Sequence, residues 1–240
     1  MSKKYVDNEQ EAVRKTFAGE KAKLSQMTFS EKLSYIFEYY RIHIIIAILI
    51  LAAVIGIVHH FMTYVQYKFY CMVINSSEYN QSVESEIHDA LGMAKHDGFS
   101  ITSDLYTNET ANMGGYGNRL DIYVMAGQLD FAFTDEEGVD YLVKMGAVRD
   151  IKDSAPDELL KQWTDDNLLY NMDVTDDEGK TFNADVAVDI SASPIHEYFG
   201  LSDNIKYLVI ADLSGSEEYM NNFYKVLEDI DADGKLDAAN

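Results

Sequence analysis

The sequence predicts an α/β domain, a mixed sheet flanked by helices, preceded by one transmembrane helix. Three observations lead to this prediction. A run of apolar residues covers positions 42–62. Downstream of it, short apolar segments typical of strands alternate with helix-like segments, which favours a sheet with helices packed against it. Two of the strand-like segments, 168–174 and 181–190, flank an acidic turn and add a hairpin to the alternation.

The apolar run at 42–62 is long enough to cross a membrane. It contains no Lys, Arg, Asp or Glu, and as a helix it would reach roughly 31 Å, against a hydrocarbon core of about 30 Å. A lone span must be helical, because lipid offers the backbone no hydrogen-bond partners. No small-residue cleavage site follows the run, so we expect an uncleaved signal anchor rather than a cleaved signal peptide or a buried core helix.

Charge is distributed unevenly on the two sides of this run. Residues 1–41 carry eight Lys or Arg and six acidic residues, whereas residues 42–240 carry 11 and 35, within a total net charge of −22. Basic flanks stay in the cytoplasm, so we predict a single-pass protein of the cell membrane with its C-terminal domain extracellular. The acidic exterior argues against nucleic acid as a partner. It favours a small cationic or peptide ligand, although an acidic surface that serves only solubility is the competing interpretation.

Composition shifts divide the chain into five segments. Residues 1–27 are polar and predict a flexible cytoplasmic tail. A capping-box pattern at Thr28 and Glu31 predicts an interfacial amphipathic helix at 28–41, which alternatively continues into the span at 42–62. The extracellular α/β domain is predicted at 67–228, and an acidic C-terminal tail at 229–240.

The predicted elements of the extracellular domain follow one another along the chain. Strands are expected at 67–75, 99–105, 129–134, 168–174, 181–190 and 206–211. Helices are expected at 82–96, 119–127, 136–145, 156–163, 194–199 and 216–227. The apolar content of 47% supports a packed core, and the single cysteine, Cys71, excludes an internal disulfide. The glycine-rich stretch 112–118 has no lysine at P-loop spacing, which indicates a plain loop.

Residues 119–151 contain a distinctive succession of short motifs. A helix leads to Ala126-Gly127-Gln128-Leu129-Asp130 and an apolar strand, and a second helix is followed by Gly146-Ala147 and Asp150-Ile151. Further along, an apolar strand ends in Asp189-Ile190-Ser191 before a helix, another strand and a closing helix. This succession resembles the type 2 extracellular solute-binding proteins over roughly residues 67–228.

The chain departs from that family in length and in its anchor. Family members have two complete lobes and a hinge and are usually lipoproteins or periplasmic, whereas this chain has an N-terminal span and no lipobox cysteine before the domain. The resemblance therefore implies a shortened, membrane-anchored relative. The anchor, preceded by Tyr39-Tyr40-Arg41, also resembles small single-span proteins of Gram-positive bacteria.

The resemblance implies a ligand at the carboxyl ends of the strands, where such sheets form their crevices. The candidate ligand-binding residues are Asn75 and Ser76 after the first strand, Thr134 and Asp135 after the third, and Ser191 after the hairpin. A structural interpretation competes with this one. Asn75, Ser76 and Ser191 are also typical turn or cap residues, and Asp135 is typical of a helix N-cap.

The C-terminal residues 229–240 have the spacing of a calcium loop. Aspartates at positions 1, 3, 5 and 9 and a glycine at position 6 resemble an EF-hand, with Asp229, Asp231, Asp233 and Asp237 as candidate metal ligands. Position 12 is Asn240 instead of a bidentate carboxylate. Calcium is therefore weighed against a solvated acidic tail, and no other cofactor is expected.

The sequence carries no recognised catalytic motif. G-x-S-x-G, S-x-x-K and H-E-x-x-H are all missing, so we expect no enzyme activity. The leading hypothesis is a membrane-anchored extracellular ligand-binding module. The alternative is a structural or scaffold subunit that binds an envelope protein and no small molecule. A cleft with converging polar groups would favour the module, and a filled cleft with an exposed apolar patch would favour the scaffold.

Overall fold

A computed structural model describes residues 25, 27–107, 119–175 and 179–236. The chain divides into two compact units, Met1–Tyr64 and Val65–Asn240. The first unit contains the apolar run, and the second contains the sheet.

Among its described residues, the first unit contains a long helix, α1 (Phe29–Thr63). Its start follows from the capping box, because Glu31 Oε2 accepts hydrogen bonds from Thr28 N at 2.9 Å and Thr28 Oγ1 at 2.8 Å. The helix runs without a break through 28–41 into the apolar run, as in the alternative of one continuous helix. The part Tyr40–Thr63 is long and apolar enough to cross a membrane.

The described part of the second unit forms a six-stranded mixed sheet in the order β2-β1-β3-β6-β5-β4. The strands are β1 (Gln66–Ile74), β2 (Asp97–Leu105), β3 (Phe131–Thr134), β4 (Leu169–Thr175), β5 (Thr181–Asp189) and β6 (Tyr207–Ile210). β1 pairs in parallel with β2 and β3, while the pairs β3·β6, β6·β5 and β5·β4 are antiparallel. The carboxyl ends of β1, β2, β3 and β5 therefore lie at one edge, called here the carboxyl edge. The end of β6 lies at the opposite edge.

Helices cover both faces of this sheet. They are α2 (Val83–Ala90), α3 (Arg119–Met125), α4 (Glu136–Lys144), α5 (Ile151–Ser154), α6 (Asp157–Asp165), α7 (Pro194–Tyr198) and α8 (Glu217–Asp233). The side chains of β3 alternate: Phe131 and Phe133 point into the core that contains α8, and Ala132 points into the core that contains α4. The α/β class is thus confirmed, with a separate hydrophobic core on each face.

Two helix ends lie six residues from their predicted positions. The helix expected at 82–96 stops at Ala90, and Gly92 follows in the left-handed region with a φ of 64°. The last helix continues past Leu227 to Asp233, because Ile230 is fully buried in the core and the left-handed cap comes only at Gly234. The acidic tail predicted at 229–240 therefore begins as part of the folded domain.

Candidate functional site

Two of the five candidate ligand residues meet at the carboxyl edge. Asn75, which follows β1, donates a hydrogen bond from Nδ2 to Asp135 Oδ1 at 2.8 Å. Asn75 has a φ of 64°, a left-handed conformation that asparagine tolerates better than most residues. Asp135 follows β3 and caps α4, since the same Oδ1 accepts from Gly138 N at 2.9 Å. Each side chain is thus held by the other and by the backbone.

Two residues that the sequence reasoning missed extend this contact. Thr107, which follows β2, donates from its backbone N to Asn75 Oδ1 at 2.9 Å. Its hydroxyl lies 2.8 Å from Glu137 Oε1, in the first turn of α4. We name Asn75, Thr107, Asp135 and Glu137 the edge cluster. Thr107 follows a predicted strand just as Asn75 does, so the rule that selected Asn75 would also have selected Thr107.

Ser76 lies beside the edge cluster and joins a different loop. Its hydroxyl is 2.6 Å from Ser202 Oγ and accepts from Glu78 N at 3.0 Å. Asn204 Nδ2, from the same loop as Ser202, donates to Asn75 O at 3.2 Å. The loop before β6 is therefore tied to the residues after β1, and Ser76 is largely buried there.

Thr134 and Ser191 occupy very different surroundings. Thr134 is fully buried at the end of β3, and its hydroxyl has no hydrogen-bond partner in the part of the chain that the structure describes. A Cβ placed on Gly138 would overlap that hydroxyl, so the glycine allows α4 to approach β3 closely. Ser191 is exposed, and both its backbone N and its hydroxyl donate to Asp189 Oδ1, at 2.9 and 2.6 Å. The contacts of Ser191 correspond to the interpretation of this residue as a turn or cap residue.

The candidate calcium ligands lie on a helix, with one exception. Asp229, Asp231 and Asp233 belong to α8, and Asp237 lies outside the described residues. Asp231 accepts from Ser193 Oγ at 2.5 Å and from Gln162 Nε2 at 2.7 Å. An EF-hand holds its ion in a loop that follows a helix, and a helical backbone does not provide that loop. Within the described residues, no group of three or more His, Cys, Asp or Glu side chains is placed to hold a metal ion.

The opposite edge of the sheet carries an open pocket of about 280 Å³. It lies where the end of β6, the short helix α5 and the first turns of α8 come together. Its lining is mostly polar, with an apolar wall from one methionine and one tyrosine ring. The lining residues are Arg149, Asp153, Ser154, Asp212, Glu217, Met220, Asn221 and Tyr224.

An ion pair between Arg149 and Asp212 forms one wall of this pocket. Arg149 Nη2 lies 3.1 Å from Asp212 Oδ2, with 55% of the arginine side chain exposed and only 10% of the aspartate side chain. The backbone sets both positions: Arg149 N donates to Ile210 O at 2.9 Å, and Asp212 N donates to Asp130 O at 2.9 Å. Asp212 has a φ of 50°, so a strained turn after β6 holds its carboxylate in place.

One buried polar atom of the pocket residues, Asp212 Oδ1, forms no hydrogen bond with the described part of the chain. Tyr224 is only 1% exposed, and burial raises the pKa of its hydroxyl above the usual value. A hydrogen bond with Ser154 opposes this rise, and the charge of Asp212 adds to it. Buried polar groups are nearly always paired, so the unpaired acceptor of Asp212 calls for an explanation.

Asp130 accepts hydrogen bonds from the turn that forms one side of the pocket. This last residue of the 126–130 motif is fully buried, and its carboxylate accepts from Tyr70 N at 2.8 Å and from Ser214 N at 3.0 Å. Burial raises the pKa of Asp130 to about 6; its hydrogen bonds oppose that rise, and the charge of Asp212 adds to it. Asp130 thereby fixes the turn that carries Asp212.

Sequence reasoning did not find the pocket, because its residues come from three distant segments. Arg149, Asp212 and Tyr224 are joined only by the antiparallel return of β6 and the packing of α8. None of the three belongs to a recognisable motif. A basic residue placed among many acidic ones was the sole available signal, and it is too common to be specific.

No protein-family model matches the chain, and no curated protein or solved structure matches it either. The resemblance to solute-binding proteins therefore stays a prediction from the sequence.

Proposed function

We propose that this chain is a single-pass membrane protein whose acidic α/β unit acts outside the cell as a binding module. The helix Tyr40–Thr63 serves as the anchor, with the lipid bilayer as its partner. The basic residues before it and the acidic residues after it support a cytoplasmic N-terminus and an extracellular sheet.

The observation that carries this proposal is the pocket at the end of β6. Small-molecule sites are concave and combine apolar walls with a few placed polar groups, commonly with a volume of about 300–1,000 Å³. The pocket, at about 280 Å³, approaches the lower bound and so suits a small ligand. Arg149 and Asp212 are fixed by backbone hydrogen bonds, and Asp212 Oδ1 forms no hydrogen bond with the described residues.

A ligand screen on the full-length protein in detergent micelles tests the proposal. The melting temperature is followed against separate panels of amines, amino acids, sugars and carboxylates. A ligand that binds only the folded state raises this temperature in a concentration-dependent way. We expect at least one panel to do so, and we expect Asn221→Trp, which fills the pocket without changing its charge, to weaken the response. If no compound in any panel stabilised the protein, a binding module would be contradicted.

A second function, a scaffold subunit that binds an envelope protein, is favoured by a different observation. Ile122 and Met125 lie three residues apart on α3, and their exposed fractions are 59% and 84%. Residues at that spacing share a helix face, so together they form an apolar patch suited to another protein. The edge cluster, whose side chains bond to one another, leaves little polar capacity for a small ligand there.

Site-specific crosslinking separates the two functions. A photoactivatable residue in place of Met125 would give a discrete crosslinked product in cells if α3 binds a protein partner. The same residue in place of the exposed Asp166 serves as the control. Equal labelling from both positions would contradict the scaffold function.

A further inference from the structure

The pocket carries more negative than positive charge, which restricts the ligands it accepts. Three carboxylates line it, from Asp153, Asp212 and Glu217, against the single guanidinium of Arg149. Arg149 pairs with Asp212, at 3.1 Å from its Oδ2. Among the ion pairs formed by the described residues, none involves Asp153 or Glu217. The lining therefore retains a formal charge of −2, which opposes an anionic ligand and attracts a cationic one.

The unpaired oxygen of Asp212 adds a geometric requirement. Nine-tenths of this side chain is buried, and its Oδ1 accepts no hydrogen bond from the described residues. A buried carboxylate oxygen without a donor is costly, and a charged N–H group is the donor that relieves the cost best. A primary ammonium offers three N–H donors on a small head and can serve several carboxylates at once.

The rest of the lining indicates what the ammonium is attached to. Met220 and the ring of Tyr224 form an apolar wall, and both side chains are almost fully buried. The volume of about 280 Å³ equals that of roughly nine water molecules in the liquid. The space therefore accommodates a short aliphatic body and excludes a folded peptide.

Resting on the proposed binding function, we propose that this pocket binds a small aliphatic primary amine. Its ammonium group lies among Asp212, Glu217 and Asp153, and its carbon chain lies against Met220 and Tyr224. The ammonium donates to the carboxylate of Asp212, which also keeps its ion pair with Arg149.

Isothermal titration of the full-length protein in micelles tests this inference with three probes that share one carbon chain. The probes are n-butylamine, n-butyltrimethylammonium and 1-butanol, titrated in about 0.15 M salt so that general attraction to an acidic surface is screened. We expect binding of n-butylamine, and at least tenfold weaker binding of the other two. The quaternary ion keeps the charge without an N–H donor, and the alcohol keeps a donor without the charge.

Adjacent glutamates on α8 provide a matched pair of variants. Glu217 lines the pocket, whereas Glu218 does not, and both side chains are exposed. We expect Glu217→Gln to weaken n-butylamine binding several-fold and Glu218→Gln to leave it unchanged. Asp212→Asn should weaken it tenfold or more. If that variant fails to fold, as judged by near-UV circular dichroism, the Glu217 and Glu218 comparison alone decides.

Two results would overturn the inference, and they differ from failure of the binding function. Equal affinity for n-butylamine and n-butyltrimethylammonium, or equal weakening by Glu217→Gln and Glu218→Gln, would show general electrostatic attraction. Absence of amine binding together with stabilisation by another panel would leave a binding module with a different ligand class. Absence of any response would contradict both proposals.

Discussion

Asn75 Nδ2 donates a hydrogen bond of 2.8 Å to Asp135 Oδ1, which joins the residue after β1 to the residue after β3. The same oxygen of Asp135 also caps α4. These two residues were chosen from the sequence as ligand contacts, and the structure gives them a definite task in holding the carboxyl edge together. Because the two side chains are hydrogen-bonded to each other, substituting either one should affect the stability of the fold as well as any binding at this edge.

Removal of the Asp135 side chain tests its structural role at the carboxyl edge. We expect Asp135→Ala to lower the free energy of unfolding by about 1–2 kcal/mol, because the cap of α4 and the bond from Asn75 are lost together. Ser191→Ala, an exposed change at the same edge, should stay within about 0.5 kcal/mol. Urea unfolding measures both. Amine binding at the opposite edge should survive Asp135→Ala, and its loss would mean that the two edges are coupled.

Gly138 allows α4 to pack against the end of β3. A Cβ at this position would overlap Thr134 Oγ1, so we expect Gly138→Ala to destabilise the fold by about 1–3 kcal/mol through overpacking. The double variant Gly138→Ala with Thr134→Ala should regain part of that loss, since it removes the overlapped atom. Urea unfolding of the wild type, both single variants and the double variant gives the coupling energy. Simple additivity would contradict the overlap.

The stability of the domain should depend on pH through Asp130. Burial raises the pKa of Asp130 to about 6, whereas its usual value is 3.8. The folded state therefore binds this proton more tightly than the unfolded state, and the carboxyl group stabilises the fold as pH falls from about 6 to about 4. A shift of about two units corresponds to about 3 kcal/mol.

Asp130→Asn removes this titration. Between pH 4 and pH 7 the wild type should lose about 2 kcal/mol more of its unfolding free energy than the variant does, because the unfolded carboxyl is still partly ionised at pH 4. Urea unfolding at a series of pH values measures the difference between the two curves, in which the contributions of all other carboxyls cancel. Parallel curves would contradict a raised pKa at this position.

Tyr219 and Lys68 lower the pKa of Asp97, whereas burial raises the pKa of Asp130. The Tyr219 hydroxyl donates to Asp97 Oδ2 at 2.6 Å, and the Lys68 ammonium lies 3.0 Å from Oδ1. The tyrosine bond is the largest of the effects that hold the pKa of Asp97 below its usual value. This contribution to stability is present above the usual pKa of an aspartate and is lost as pH falls through the lowered value.

Tyr219→Phe should therefore raise the pKa of Asp97. An NMR titration of the carboxyl carbon of Asp97 measures the shift directly. Tyr198→Phe is the matched control, because the Tyr198 hydroxyl donates to Glu86 Oε2, at 2.7 Å, and not to Asp97. An unchanged Asp97 titration in Tyr219→Phe would contradict this role of the Tyr219 hydroxyl.

The strands were predictable because side-chain burial in them follows simple rules. β1 and β3 are buried on both faces, so they occur in the sequence as short runs of apolar residues bounded by polar ones. All six predicted strand segments overlap strands of the structure. Their order could not be obtained in this way, because the antiparallel return of β6 beside β3 depends on packing between segments far apart in the chain.

The candidate sites were predictable only in part, for a related reason. The carboxyl edge follows from strand direction, so Asn75 and Asp135 were placed there correctly relative to each other. Whether such residues bind a ligand or one another depends on side-chain geometry that a strand pattern does not contain. The extension of α8 was missed because the buried Ile230 lies among Asp229, Asp231 and Asp233, and such an acidic stretch is typical of an exposed tail.

We propose that α1 crosses the membrane and leaves the acidic domain outside. The test of this proposal uses single cysteines and a membrane-impermeant maleimide on intact cells. Cys71 is fully buried, and burial raises the pKa of its thiol, so the wild type supplies a low background. The variants are Ser85→Cys, exposed in the domain, and Ser25→Cys, exposed before the span.

The two cysteines should respond in opposite ways. We predict that Ser85→Cys is labelled on intact cells, and that Ser25→Cys is labelled only after the cells are lysed. Labelling of Ser25→Cys on intact cells while Ser85→Cys stayed protected would contradict the orientation. Protection of both until lysis, with the full-length protein in the soluble fraction, would contradict the membrane anchor itself.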